Sequence, residues 1–279
     1  MPEERWPAWK ACIGGCMKVV IETLEKKKAS IIVKDGELYI MNSLRRIMLS
    51  DLPKLAINDV IIYDNTSALF DEIISHRLCL IPLPTELDLL NFREDCTCSG
   101  KGCPSCTVRY TLSKEGAGIV YSSDLIPAEE SWKVSEGKIP VVELFNDQRL
   151  ILEVEAVLGR GRDHAKWQPV QAPGYRFIPS ITFDPKDTDD VKEFIEELPP
   201  GLVTMKKDSL ELRKLEDLAV LESYIDTLDV GFINIQKDST NLQFHFETDG
   251  SLTAEDALQH AIQIFEEKLD TLSELLQKL

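Results

Sequence analysis

Four of the seven cysteines in this 279-residue chain crowd into a single stretch as Cys96, Cys98, Cys103 and Cys106, with the spacing C-x-C-x4-C-x2-C. Four thiolates complete the tetrahedral shell of a zinc ion and leave no position for a substrate water, so this spacing best supports a structural metal site. Gly100, Gly102 and Pro104 supply tight turns around one ion, and Lys101 offsets part of the negative charge of a four-thiolate centre. The ion would supply folding energy to a loop with almost no apolar residues of its own. Two other readings stay open. Paired disulfides are disfavoured by the awkward geometry of adjacent C-x-C pairs and by a reducing compartment. An iron–sulfur cluster also takes four cysteines, but the bacterial ferredoxin run has a different order of spacings. Cys79, in "HRLCLIPL", reads as a buried core cysteine.

Other chemistry is thin. The histidines, at 76, 164, 245 and 260, are scattered, and neither HExxH, GxSxG nor a Walker loop occurs. His76 and His164 read as hydrogen-bonded structural residues. The segment "GRGRDHAKW", residues 159–167, reads as a basic surface loop in which Arg160, Arg162, His164 and Lys166 dock on an acidic partner, in preference to a phosphate site. A zinc hydrolase would need an open metal position, which four cysteines deny.

The elements that position these residues follow from periodicity. "MKVVIET" and "ASIIVKDGELYI" alternate as strands, with Asp35-Gly36 as a turn signal. A helix is expected next, capped by Asn42, with Leu44, Ile47 and Met48 on one face, Arg45 and Arg46 off it, and Pro53 as its stop. Residues 55–160 read as a β-rich unit with one helical piece, whose apolar face is Leu69, Ile73 and Ile74; the cysteine loop follows that piece. Residues 184–229 form a small acidic unit of low apolar content. "FINIQKDSTNLQFHFET" reads as a hairpin turning at Lys237 to Thr240. The closing helix opens on a capping box of Thr253 with Asp256, then sets Leu258, Ile262, Phe265, Leu269, Leu272, Leu276 and Leu279 in a heptad-like seam. That seam wants either a partner chain or the protein's own sheet, and the two ends of the helix could serve one each. The fold class is α+β.

The balance of 31 basic against 48 acidic residues, net charge −17, would repel nucleic acid phosphates over most of the surface. No apolar run approaches the ~18 residues of a membrane span. An odd number of cysteines without even spacing suits a reducing, cytoplasmic setting better than a secreted disulfide framework. Residues 1–16 lack a secretory signal's continuous apolar stretch and read as an N-terminal tail ahead of Met17, or as a start-site artefact.

In combination, "NSLRRIMLSDLPKLAINDVIIYDNTSALFDEIISHRLCLIPLP", "CTCSGKGCPSCTVRYTL", "GRGRDHAKWQPV" and "YRFIP" resemble the D-type subunit of archaeal RNA polymerase. That family is the counterpart of the third-largest subunit of eukaryotic RNA polymerase II and of the N-terminal region of the bacterial alpha subunit. The resemblance, over about residues 17–279, implies an assembly platform in a nucleotidyltransferase, itself without catalytic residues. It implies a discontinuous dimerisation domain of sheet plus long helices, about 17–54 and 230–279, that pairs with an L-type subunit. The helix carrying Asn42, Leu44, Arg45 and Arg46 would dock the second-largest catalytic subunit, with small subunits N and P alongside and DNA and RNA met only through the assembled enzyme. Residues 55–183 would be the family's insert domain, and its cysteines match the zinc loop of eukaryotic relatives. Residues 184–229 fall where many archaeal relatives carry a ferredoxin-like domain with cluster cysteines. This chain has no cysteine after Cys106, so no iron–sulfur cluster is expected there. The runner-up reading is a free-standing zinc-binding adaptor.

Overall fold

The computed structural model describes residues 17–206, 209–228 and 230–278; the expectations placed on residues 1–16 and on Leu279 lie outside the described residues. In chain order the elements are β1 (Lys18–Leu24), β2 (Lys28–Lys34), α1 (Leu38–Ser50), β3 (Pro53–Asn65), α2 (Asp71–Cys79), β4 (Val108–Glu115), β5 (Gly118–Tyr121), β6 (Ile126–Pro127), β7 (Pro140–Leu144), β8 (Arg149–Arg160), β9 (Val170–Phe183), α3 (Thr188–Glu197), β10 (Val203–Met205), β11 (Ser209–Leu212), α4 (Leu218–Thr227), β12 (Ile233–Thr248) and α5 (Ala254–Gln277). Sheets run in the orders β1-β2-β12-β9-β11-β10, β3-β8-β4-β6 and β5-β7, an α+β arrangement as the sequence implies. Among the described residues two compact units result, one from residues 17–20, 31–38 and 175–244, the other from 21–30, 39–174 and 245–278.

The larger unit is built on β8, antiparallel to β3 on one side and to β4 on the other. Strict alternation explains it: Val108, Tyr110 and Leu112 of β4 and Leu150, Leu152, Val154 and Ala156 of β8 point inward, and their polar neighbours point out. Ile74 and Leu78 of α2 complete the core, each full burial contributing about 1.5–3 kcal/mol. The buried face of α2 is thus the i, i+4 pair Ile74 and Leu78; the expected Ile73, about 100° round the helix from Ile74, is exposed, and Leu69 packs on the core from ahead of the helix. Tyr110 keeps its hydroxyl satisfied by donating to the Trp132 carbonyl at 2.9 Å, and burial pushes its pKa well up.

Also within this unit, α1 buries Met41, Leu44, Ile47 and Met48. It begins a turn earlier than expected, so Asn42 is interior, where its Oδ1 accepts from Arg45 Nε and Nη2 at 3.2 and 3.0 Å. The "GRG" motif is explained by close packing: a Cβ on Gly159 would stand 2.3 Å from the Trp167 ring, and one on Gly161 2.0 Å from the Leu49 carbonyl oxygen. The Arg162 N–H donates to the Ser50 carbonyl, so this loop seals the end of α1. Asp51 receives Lys268 of α5 at 2.5 Å and Arg162 at 3.7 Å. Burial alone would raise the Asp51 carboxyl, but the hydrogen bond and charge of Lys268, with Arg162 behind it, hold it below the ordinary range.

In the smaller unit, Val191 and Phe194 of α3, Leu221 of α4, Leu210 of β11 and Ile181 and Phe183 of β9 form a core, with Phe194 edge-on to Phe232. A region poor in apolar residues therefore packs around its own core without cysteine. The expected hairpin at Lys237 to Thr240 is one continuous strand, β12. Asp238 accepts from the Thr240 N–H and hydroxyl, which satisfies the local turn chemistry without reversing the chain.

Candidate metal centre and exposed faces

Segment 91–95 and the start of β4 hold the two ends of the cysteine loop. The Asn91 N–H donates to the Ser105 carbonyl at 2.8 Å, and Cys106 sits two residues before Val108, whose register against Ala156 of β8 is fixed. Between these ends, Ser99 N–H donates to Cys96 O, Lys101 N–H to Cys98 O, and the N–H groups of Cys106 and Thr107 to Cys103 O. Such turns require left-handed backbone, and Gly100 and Gly102, at φ 80 and 81°, supply it.

The result is a cluster in which all four Sγ atoms lie within 4.8 Å of one another. Cys96 to Cys103 is 3.4 Å, Cys98 to Cys106 3.6 Å and Cys103 to Cys106 3.8 Å. A tetrahedron of metal–sulfur bonds near 2.3 Å has edges of about 3.8 Å, so the sulfurs enclose the volume of a single ion. The separations are far beyond the ~2.05 Å of a disulfide. Cys96 and Cys106 are buried, with Cys98 and Cys103 half-buried, so the site has a closed and an open side. Desolvation would raise Cys98, but hydrogen bonds from the Cys96 and Cys106 thiols and the Gly102 N–H hold it down at about 6. Cys96 is lowered by the Cys98 N–H yet pushed up to about 11 by its neighbouring thiols and by burial. Thiols bind a cation as thiolates, so an ion entering this cluster would release protons.

Arg93 and Lys101 are the nearby cations that sequence position and structure pick out. Lys101 is exposed at the loop tip, whereas Arg93, which spacing alone does not single out, lies against the loop and donates from Nη2 to Glu155 Oε2 at 2.9 Å. Sixty-two residues separate that pair, so no local motif reveals it.

The remaining candidates divide cleanly. On α1, Leu44 is buried, Asn42 and Arg45 are half-buried and bonded to each other, and Arg46 is exposed. In the 159–167 loop the Arg160 guanidinium covers the Phe92 ring at 4.1 Å, and Lys166 donates to the Ile57 carbonyl and Asn58 Oδ1 while lying over Trp167. His164 Nδ1 accepts from the Lys166 N–H, and Arg162 is more than half exposed beside Asp51. Along α5, Leu258 is 7% exposed and Ile262 and Phe265 are half-buried, but Leu269, Leu272 and Leu276 are 51, 52 and 60% exposed. The proximal half of the seam packs on the protein itself; the distal half faces solvent. Strand β1, at the edge of the six-stranded sheet, likewise exposes Val19, Val20, Ile21 and Leu24. Among the described residues no helix is long and apolar enough to cross a membrane.

Residues 56–179 match the family described as the RNA polymerase Rpb3/RpoA insert domain. Most of the chain is similar to proteins named DNA-directed RNA polymerase subunit Rpo3. It is 34% identical to that of Picrophilus torridus over 86% of this chain and 92% of the relative, and 34% identical to that of Methanosarcina acetivorans over 94% and 99%. Identity to the Methanosarcina mazei protein is 35%, over 94% of this chain and 99% of the relative.

Proposed function

The chain belongs to the family of DNA-directed RNA polymerase Rpo3 subunits, and from that premise we propose that it is the enzyme's non-catalytic assembly platform, acting in the cytoplasm. Its two ends, about 17–54 and 230–279, form the dimerisation domain that pairs with an L-type subunit; 55–183 is the insert domain and 184–229 the ferredoxin-like domain without a cluster. The observation that carries this reading is the distal half of α5. A monomer does not leave a leucine stripe solvated over the last turns of a 24-residue helix unless something covers it. The ion in the cysteine loop is zinc, held by Cys96, Cys98, Cys103 and Cys106, and its chemistry is structural: it closes the loop. DNA and RNA are met only through the assembled enzyme, in keeping with a net charge of −17.

Native mass spectrometry of the chain co-expressed with the L-type subunit from the same genome tests this. A one-to-one complex bearing one zinc is expected. The triple substitution Leu269→Glu, Leu272→Glu and Leu276→Glu should abolish the complex and leave the monomer's circular dichroism unchanged, because these side chains are solvated in the free chain. A complex that survives the triple substitution would place the pairing surface elsewhere. A metal-bearing monomer that ignores the partner would favour the zinc-binding adaptor.

On α1 the exposed Arg46, with Arg45 bonded to Asn42 beside it, presents guanidinium groups for bidentate carboxylate contacts with the second-largest catalytic subunit. Small subunits N and P bind alongside. Replacing Arg45 and Arg46 by Ala is expected to spare the pair with the L-type subunit while weakening capture of the large subunit on the order of tenfold or more. A pull-down with the purified large subunit reads this; undiminished capture would remove α1 from the docking surface.

A further inference from the structure

The guanidinium of Arg93 reaches three elements at once. Nη2 bonds Glu155 of β8, Nη1 lies 3.5 Å from Asp59 at the bulge in β3, and Nη2 stands 2.8 Å from where a Cβ on Gly102 would be. A Cβ there would push the guanidinium aside, and the left-handed backbone at φ 81° favours glycine. Glu155 is clamped from its other side by Arg109 of β4, at 2.9 Å, so the two arginines and two carboxylates balance. One group is left over: Arg93 Nε is buried and has no hydrogen-bond partner. A buried N–H without an acceptor calls for an explanation.

We propose that Arg93 is a positioning residue of the metal centre, its Nε–H held in reserve for a cysteine thiolate of the loaded loop while its Nη atoms bolt that loop to β3 and β8. The inference rests on the reading of the four cysteines as metal ligands. Four thiolates around a divalent ion carry surplus negative charge, and an outer-shell donor from a fixed cation both offsets it and orients the ligand. Gly102, which lies against this guanidinium, is next in the chain to the ligand Cys103.

The test loads the full-length chain, co-purified with its L-type partner, with Co2+ and records the sulfur-to-cobalt charge-transfer and ligand-field bands, then follows release into excess EDTA. Absence of those bands in the unaltered protein would refute the metal reading itself. With the bands present, Arg93→Met should release Co2+ about tenfold faster and shift the charge-transfer band. Arg93→Lys, which keeps the charge but lacks the Nε–H, should fold normally and show the same band shift with a smaller change in rate. Glu155→Gln, which loosens the bolt and keeps the donor, should speed release without moving the band. If Arg93→Lys matches the unaltered protein in both band and rate, the Nε–H serves no ligand and the proposal fails.

Discussion

Replacing Cys103 and Cys106 with Ser is expected to take the metal content of the purified protein from one ion per chain to essentially none, with the fold of the surrounding sheet intact. A serine hydroxyl stays protonated at neutral pH and is a poor ligand for a soft, four-sulfur site, so the two remaining thiols cannot hold the ion. In isolated zinc-binding peptides the ion accounts for about 10–16 kcal/mol of apparent binding free energy. Here that energy would be confined to the loop, because Leu55, Ile74, Leu78, Tyr110, Leu152 and Val154 belong to an apolar core that includes none of the four cysteines. Elemental analysis should therefore show the metal gone, and hydrogen exchange should show protection lost by more than tenfold (an order-of-magnitude expectation for local opening) across 96–106 but retained in β4 and β8. Unchanged metal content would mean that other residues are the ligands.

The second large effect comes from an ion pair that no motif announces. Lys54 Nζ lies 2.5 Å from Asp249 Oδ2, and the two side chains are only 4 and 10% exposed. Lys54 opens β3; Asp249 caps the turn into α5 through the Ser251 N–H and hydroxyl. Removing the lysine leaves a buried carboxylate with its charge uncompensated, and Lys54→Met is expected to cost about 3–5 kcal/mol in urea unfolding. The double variant Lys54→Met with Asp249→Leu should regain most of that loss, since burying neither charge removes both the attraction and the desolvation penalty. A single variant as stable as the parent would mean that the pair is solvated in solution.

Local chemistry was legible in the residues and distant chemistry was not. The cysteine cluster reads directly because its cysteines and its turn-forming glycines are contiguous, and the Thr253 cap of α5 reads for the same reason: Thr253 Oγ1 accepts from the Asp256 N–H at 3.1 Å. Strand β9 was hidden by Pro173, Gly174 and Pro179, which normally punctuate; its described pairing with β11 falls beyond them, at Ile181 and Thr182. The hairpin expected within β12 failed because Asp238, Ser239 and Thr240 look like a turn locally, while strands on both sides hold the segment extended. The heptad seam implied burial along all of α5, by a partner chain, by the protein's own sheet, or by one at each end; the exposures show where the inner half gives way to the outer. Arg93 and Lys54 could not be found from sequence at all, since what distinguishes each is a partner tens or hundreds of residues away.

The outer half of α5 also bears on the colloidal behaviour of the chain before it meets anything. A leucine stripe ending in Leu276 is adhesive, and two copies would bury it against each other as readily as against another protein. What opposes that is the surplus of acidic groups, Glu266, Glu267, Asp270 and Glu274 among them, which makes every copy repel every other. Chains without a partner are therefore expected to be held apart by a repulsion that salt screens over about 8 Å at physiological ionic strength. Solubility in excess over partner is then a property of the ionic medium as much as of the fold.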